Sequence, residues 1–139
     1  SGGQQRKVAI AGVLALKPDV LVLDEPSAGL DPQGRKQLSE LLKYLYRELK
    51  MTVILISHRM EEIAELASRV IVMHQGEIVI DDNPVEVFSK ELELHKLSLD
   101  LPQITEILHR LDEKGLKVNT DLFSISEASA EIIKALRSK

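Results

Sequence analysis

Cysteine is absent from the 139 residues, which excludes both a disulfide framework and a thiolate metal site. Tryptophan is absent as well, and aromatics reach only 3%, too few for a surface that stacks nucleobases. Positive charge is in deficit: 18 Lys+Arg stand against 22 Asp+Glu, a net charge of -4 that gives no global field for nucleic acid or an anionic membrane. Long apolar runs are missing too. The longest, Val8 to Leu16 counting Gly12, falls far short of the about 20 residues that a membrane span needs. No charged-then-apolar leader precedes Ser1, so no secretory signal is expected, and a chain that opens on Ser-Gly-Gly-Gln reads as cut. What is present is a globular composition, 44% hydrophobic with 29% charged, in a length able to bury a core.

The hydrophobic pattern predicts alternating helices and strands. Gly3 to Lys17 reads as a helix that is apolar on nearly every face (Val8, Ala9, Ile10, Ala11, Val13, Leu14), hence one buried inside a larger protein. Pro18 stops it. Val20 to Leu23 is a short valine and leucine run suited to a strand covered on both faces, and it ends in Asp24-Glu25-Pro26. Ser27 to Asp31 is a turn. Asp31 then caps a helix that carries Pro32 in its first turn and runs to about Lys50, with Leu38, Leu41, Leu42, Leu45 and Leu49 on one stripe. Thr52 to Ser57 is a second buried strand, with His58 at its end. Met60 to Ser68 is amphipathic. Val70–Met73 and Ile78–Ile80 form a hairpin turning at Gln75-Gly76, and Asn83-Pro84 opens a short helix through Phe88. Charge thickens near Lys90. Beyond it come a helix from Pro102 to a Gly115 cap, short strands at Leu116–Val118 and Leu122–Ile125, and a last helix from about Glu127 to Arg137. The expected division is residues 1–90 and an appended subdomain at 91–139.

Four elements in order carry the chemistry: Ser1-Gly2-Gly3-Gln4 at a helix start, Leu21-Val22-Leu23-Asp24-Glu25-Pro26, Ser27-Ala28-Gly29-Leu30-Asp31, and Ile56-Ser57-His58. Together they resemble the nucleotide-binding subunits of ABC transporters, matching the signature without its leading leucine, the Walker B strand, the D-loop and the switch histidine. Gln4 to Ala11, the run Ser57-His58-Arg59-Met60-Glu61-Glu62 and the Leu99-Asp100-Leu101-Pro102 tail look most like the energy-coupling-factor ATPases, which power uptake of vitamins and of cobalt or nickel ions. The fold this implies is α/β: the carboxyl half of a P-loop NTPase core with a mostly parallel sheet, plus a small C-terminal α/β appendage.

The resemblance also implies roles. Ser1, Gly2, Gly3 and Gln4 would close over the γ-phosphate of ATP held by the opposite subunit, with free N–H groups and a positive dipole end facing the anion. Asp24 would hold Mg²⁺ through water, because that ion keeps much of its hydration shell. Glu25 would polarise the attacking water as general base. His58 would contact the γ-phosphate and fix that water. Ser27, Ala28, Gly29, Leu30 and Asp31 would touch a second ATPase subunit, identical or paralogous, although Asp31 also has a purely local use as a cap. Transmembrane subunits are further implied partners and nucleic acid is not, so the expected location is cytoplasmic, on the inner face of the membrane. His74, His95 and His109 show no metal-ligand spacing and read as ordinary. Lys43, Arg47 and Lys50 read as a solvated helix face.

Phosphoryl transfer of this class needs a P-loop, and no G-x-x-x-x-G-K-[ST] occurs among the residues. A glutamine loop is also missing. The expectation is therefore an ATPase segment cut inside its signature, inactive alone and prone to expose the apolar helix after Gly3. A non-catalytic interaction module that kept the sheet is the alternative. A DNA-repair-type ATPase ranks last, since neither heptads nor a basic face is present.

Overall fold

The computed structural model describes residues 2–137 of the chain. Two compact units divide it, Ser1–His58 and Arg59–Lys139.

The first unit begins with helix α1 (Gly2–Leu14). The chain leaves that helix through two tightened bonds, Leu16 N–H to Val13 O (3.1 Å) and Lys17 N–H to Leu14 O (2.9 Å). Lys17 then takes a left-handed φ of 50° before Pro18, which is why the helix ends three residues short of the expected Lys17. Strand β1 (Val20–Asp24), helix α2 (Pro32–Arg47) and strand β2 (Thr52–Ile56) follow as one β–α–β unit. The strands pair in parallel with Val20 opposite Thr52 and Asp24 opposite Ile56. Parallel neighbours need a crossover, and α2 supplies it, packing against β2.

Pairing in register puts Leu21, Leu23, Val53 and Leu55 on one face of this sheet and Val20, Val22, Ile54 and Ile56 on the other. The first set is buried or half-buried, as are Leu38, Leu42 and Leu45 of α2. The second set is about half exposed, from 47% at Ile54 to 57% at Val22. Strands expected to be covered on both faces are thus covered on one among the described residues. Helix α1 behaves alike: Ile10 is buried, while Val8 and Val13 face solvent, as does Leu16 just beyond its end.

The second unit holds helix α3 (Met60–Leu66), the antiparallel hairpin β3 (Val70–His74) and β4 (Glu77–Asp82), and helices α4 (Pro84–Phe88), α5 (Glu91–Lys96), α6 (Gln103–Glu113) and α7 (Ile125–Arg137). Gln75 and Gly76 both have positive φ, the requirement of a two-residue turn that follows strand twist. Asn83 caps α4 by accepting from Glu86 N–H at 3.1 Å, with Pro84 in the first turn. Gly115, at φ 88°, closes α6 with bonds from Gly115 N–H to Asp112 O and from Leu116 N–H to Leu111 O.

Two findings here depart from the sequence reading. Helix α5 was not expected. The strands expected at 116–118 and 122–125 do not form, and the segment is held instead by side chains: Leu116 is buried, Thr105 Oγ1 donates to Leu122 O at 3.2 Å, and Phe123 meets Phe88 edge-on at 5.3 Å. The Phe88–Phe123 contact joins α4 to the segment before α7.

Candidate functional site

The site grows from the carboxyl ends of β1 and β2, where an open α/β sheet presents its ligand-facing loops. Asp24 is the last residue of β1 and lies exposed opposite Ile56. The ladder runs one bond further, Glu25 N–H donating to Ile56 O at 2.9 Å. Glu25 itself sits at φ 45°, a left-handed conformation that costs a side-chain-bearing residue about 1–2 kcal/mol.

That turn aims the Glu25 carboxylate at His58, beyond the end of β2. Oε1 accepts twice, from His58 N–H at 3.0 Å and against His58 Nδ1 at 2.7 Å. An ionised carboxylate can only accept, so Nδ1 carries the hydrogen and Nε2 is the nitrogen available to a ligand. The imidazole is 76% exposed. Glu25 Oε2 is buried and has no hydrogen-bond partner among the described residues. A buried carboxylate oxygen of this kind calls for a donor that the protein does not supply, such as a water molecule.

A tight turn follows. Pro26 and Ser27 are buried, Ala28 and Gly29 exposed. Ala28 N–H donates to Glu25 O (3.2 Å) and Leu30 N–H to Ser27 O (3.1 Å), with Gly29 at φ 72°. Asp31 caps α2, its Oδ1 accepting from Gly34 N–H at 2.7 Å. Gly34 has no freedom to grow, because a Cβ there would lie 2.7 Å from that oxygen. Arg35 reaches back from the first turn of α2, and its Nη1 donates to Leu30 O at 2.7 Å. Sequence reasoning missed Arg35; the available signal was a long cationic donor in the first turn after Asp-Pro.

The remaining expected residues are placed as follows. Gly2, Gly3 and Gln4 form the first turn of α1, and Ser1 lies outside the described residues. His95 and His109, read as ordinary from spacing, converge on one acid: His95 Nε2 lies 3.4 Å from Glu91 Oε1, and His109 Nδ1 lies 3.5 Å from Glu91 Oε2. Among the described residues no group of three or more His, Asp and Glu could hold a metal ion. A Mg²⁺ carried by one carboxylate and completed by substrate phosphates and water needs no such group, and exposed Asp24 fits that kind of donor. A cleft in the second unit is lined by Phe88, Thr105, His109, Asp121 and Phe123 and contains none of the expected site residues. No described helix is long and apolar enough to cross a membrane.

Residues 1–64 match the family described as "AAA domain, putative AbiEii toxin, Type IV TA system". Over all 139 residues the chain is 47% identical to energy-coupling factor transporter ATP-binding protein EcfA2 of Clostridium tetani, of which it covers 48%. It is 49% identical over 127 residues, 91% of its length, to EcfA1 of Caldanaerobacter subterraneus, covering 46% of that protein. Among solved structures, cbiO1 of Clostridium perfringens, described as part of the ABC transporter complex cbiONQ, superposes at TM-score 0.60 and 40% identity. That match covers 78% of this chain and 43% of the other. An ATP-binding cassette solved as a dimer with ADP and Pi superposes at TM-score 0.56 and 33% identity, over 60% of this chain and 36% of the other. The chain spans about half the length of the curated relatives it matches.

Proposed function

We propose that the chain belongs with the ATP-binding proteins of energy-coupling factor transporters, to which it is 47% identical over its full length, and that it carries the water-activating and partner-contacting part of a transport ATPase. The observation that carries the reading is the Glu25–His58 pair bridging the ends of two parallel strands.

Glu25 acts as general base. Its Oε1 is occupied by His58, so the buried and unpartnered Oε2 is the atom that accepts the proton of a water aimed at the γ-phosphate of ATP. His58 Nε2 faces the phosphate, its ring held by Nδ1 against Glu25. Asp24 is the donor for Mg²⁺, through water, and the ion when bound neutralises charge on the phosphates. Ser1, Gly2, Gly3 and Gln4 form the anion-facing helix start that closes on ATP held by a second ATPase subunit, and Ser27 to Asp31 contact that subunit. The wider reading is uptake of a micronutrient, through transmembrane subunits, by an ATPase on the inner face of the membrane. The P-loop is not among these 139 residues, so the chain by itself turns over no ATP.

The test joins this chain in frame to the part of the Clostridium tetani relative that lies outside the match. The joined protein hydrolyses Mg·ATP, and Glu25→Gln lowers kcat by about 10²–10⁴-fold, the usual share of a general base, while ATP binding persists. Hydrolysis that survives Glu25→Gln, or a joined protein that folds and pairs yet never hydrolyses, overturns the reading in favour of a non-catalytic module.

A further inference from the structure

Glu25 holds a backbone conformation that persists only where its surroundings over-determine it. On its amino side the ladder bond to Ile56 does this, and on its side chain His58 does. On its carboxyl side come the buried Pro26 and Ser27, then an exposed Ala28 and a left-handed glycine. The bonds within this turn include Ala28 N–H to Glu25 O and Leu30 N–H to Ser27 O.

The far end is where α2 intervenes. Arg35 fixes two successive carbonyls: its main-chain N–H donates to Asp31 O at 3.0 Å, and its guanidinium to Leu30 O at 2.7 Å. The side-chain bond is partly buried, hence less open to competition from water. The position is also electrostatically unexpected. The first turn of a helix is its positive end, which favours acids and disfavours a cation, and the acid at that end of α2 is the Asp31 cap. A guanidinium in that place is offset by the negative carbonyl it meets, so the contact with Leu30 helps make the cation tolerable.

We infer that Arg35 is a positioning residue: through the Leu30 carbonyl it presets the Ser27–Asp31 turn and thereby holds Glu25 in its left-handed backbone conformation. The functional meaning rests on the proposed ATPase reading, in which that turn meets the second subunit and Glu25 activates water. Arg35 then lets the turn arrive at the partner already shaped, with Glu25 already aimed at His58.

Amide hydrogen exchange on the 139-residue chain tests the positioning itself. In Arg35→Ala, the Leu30 and Ala28 amides exchange about tenfold faster, the loss of one partly buried charged hydrogen bond, while Ile54 in β2 exchanges as before. Arg35→Lys, which keeps a donor, recovers part of the protection and also reads the effect should the alanine variant fail to fold. Unchanged exchange at Leu30, or an equal rise at every amide, overturns the inference. In the joined ATPase described above, Arg35→Ala lowers kcat with KM for ATP unchanged, and Arg35→Lys falls between. An unaltered kcat beside faster exchange at Leu30 overturns the link to Glu25. Absence of hydrolysis in the joined parent overturns the ATPase reading instead, and the exchange measurement still decides the role of Arg35.

Discussion

Glu25 and His58 meet through a single carboxylate oxygen, which takes both the main-chain N–H and the ring Nδ1 of the histidine and leaves its twin buried without a partner. The pair lies 33 residues apart in sequence and is closed by the parallel register of β1 and β2. One carboxylate thereby has a structural oxygen and a chemical one.

His58→Ala separates those two uses. The main-chain N–H still holds Oε1, and the lost ring is largely exposed, so urea unfolding shifts by no more than about 1 kcal/mol. Hydrolysis by the joined ATPase falls by at least about tenfold, because Nε2 no longer faces the phosphate. A large stability loss with activity retained would show the ring to be structural.

Glu25→Ala and Glu25→Gly both remove the carboxylate but differ in backbone. Alanine must still occupy φ 45°, whereas glycine does so without penalty. The glycine variant is expected to be the more stable by about 1 kcal/mol in denaturant unfolding, the reverse of the order at an ordinary position.

Gly34 and Asp31 are coupled through a cap with no room for a methyl group. Gly34→Ala should leave stability nearly unchanged, since losing the cap costs about 1 kcal/mol and offsets the helix preference for alanine over glycine. In an Asp31→Ala background the same change should stabilise by up to about 1 kcal/mol, the helix preference for alanine over glycine. A double-mutant cycle by urea unfolding reads this coupling of about 1 kcal/mol.

Arg69 and Asp81 form a two-pronged ion pair across the β3–β4 hairpin, with Arg69 Nε at 2.7 Å and Nη2 at 2.6 Å from the two carboxylate oxygens. The hydrogen bond from Arg69 holds Asp81 below its ordinary 3.8 against the opposing effect of burial, with the attraction of the charge contributing least, while Arg69 is pushed up. A folded-state pKa below the unfolded value adds stability that is present above the unfolded value and is lost as pH falls through the folded one. Hairpin amides should therefore lose protection as the solution is acidified through the carboxylate range. Arg69→Gln should return the Asp81 titration, followed by NMR, towards 3.8 and remove that acid dependence. Both groups lie on the surface, so added salt should weaken the effect.

Much of this was legible in the sequence, for local reasons. Asp31-Pro32 and the leucines behind it specify the start and the buried face of α2, and Gln75-Gly76 specifies the hairpin turn. The acids at the end of β1 and the histidine beyond β2 were identified by their place after apolar strands. The rest depends on contacts that no spacing records. Arg35 acts on a carbonyl five residues back, and Glu91 draws His95 and His109 together from two different helices. The stretches 116–118 and 122–125 read as strands because Leu116, Val118, Leu122 and Phe123 are β-compatible. A strand needs a partner edge, and here Thr105 holds the Leu122 carbonyl while Phe88 meets the Phe123 ring.

The half-exposed face of the β1–β2 sheet has a calorimetric consequence. Heat capacity rises on unfolding in proportion to the apolar surface newly hydrated, about 12–15 cal/mol/K per residue in ordinary domains. Val20, Val22, Ile54 and Ile56 are already about half hydrated in the folded chain, so this unit starts with part of that increment spent. The same residues make the unit a reporter: any polypeptide that covers this face must register as a negative heat-capacity change on binding, whatever the sign of its enthalpy.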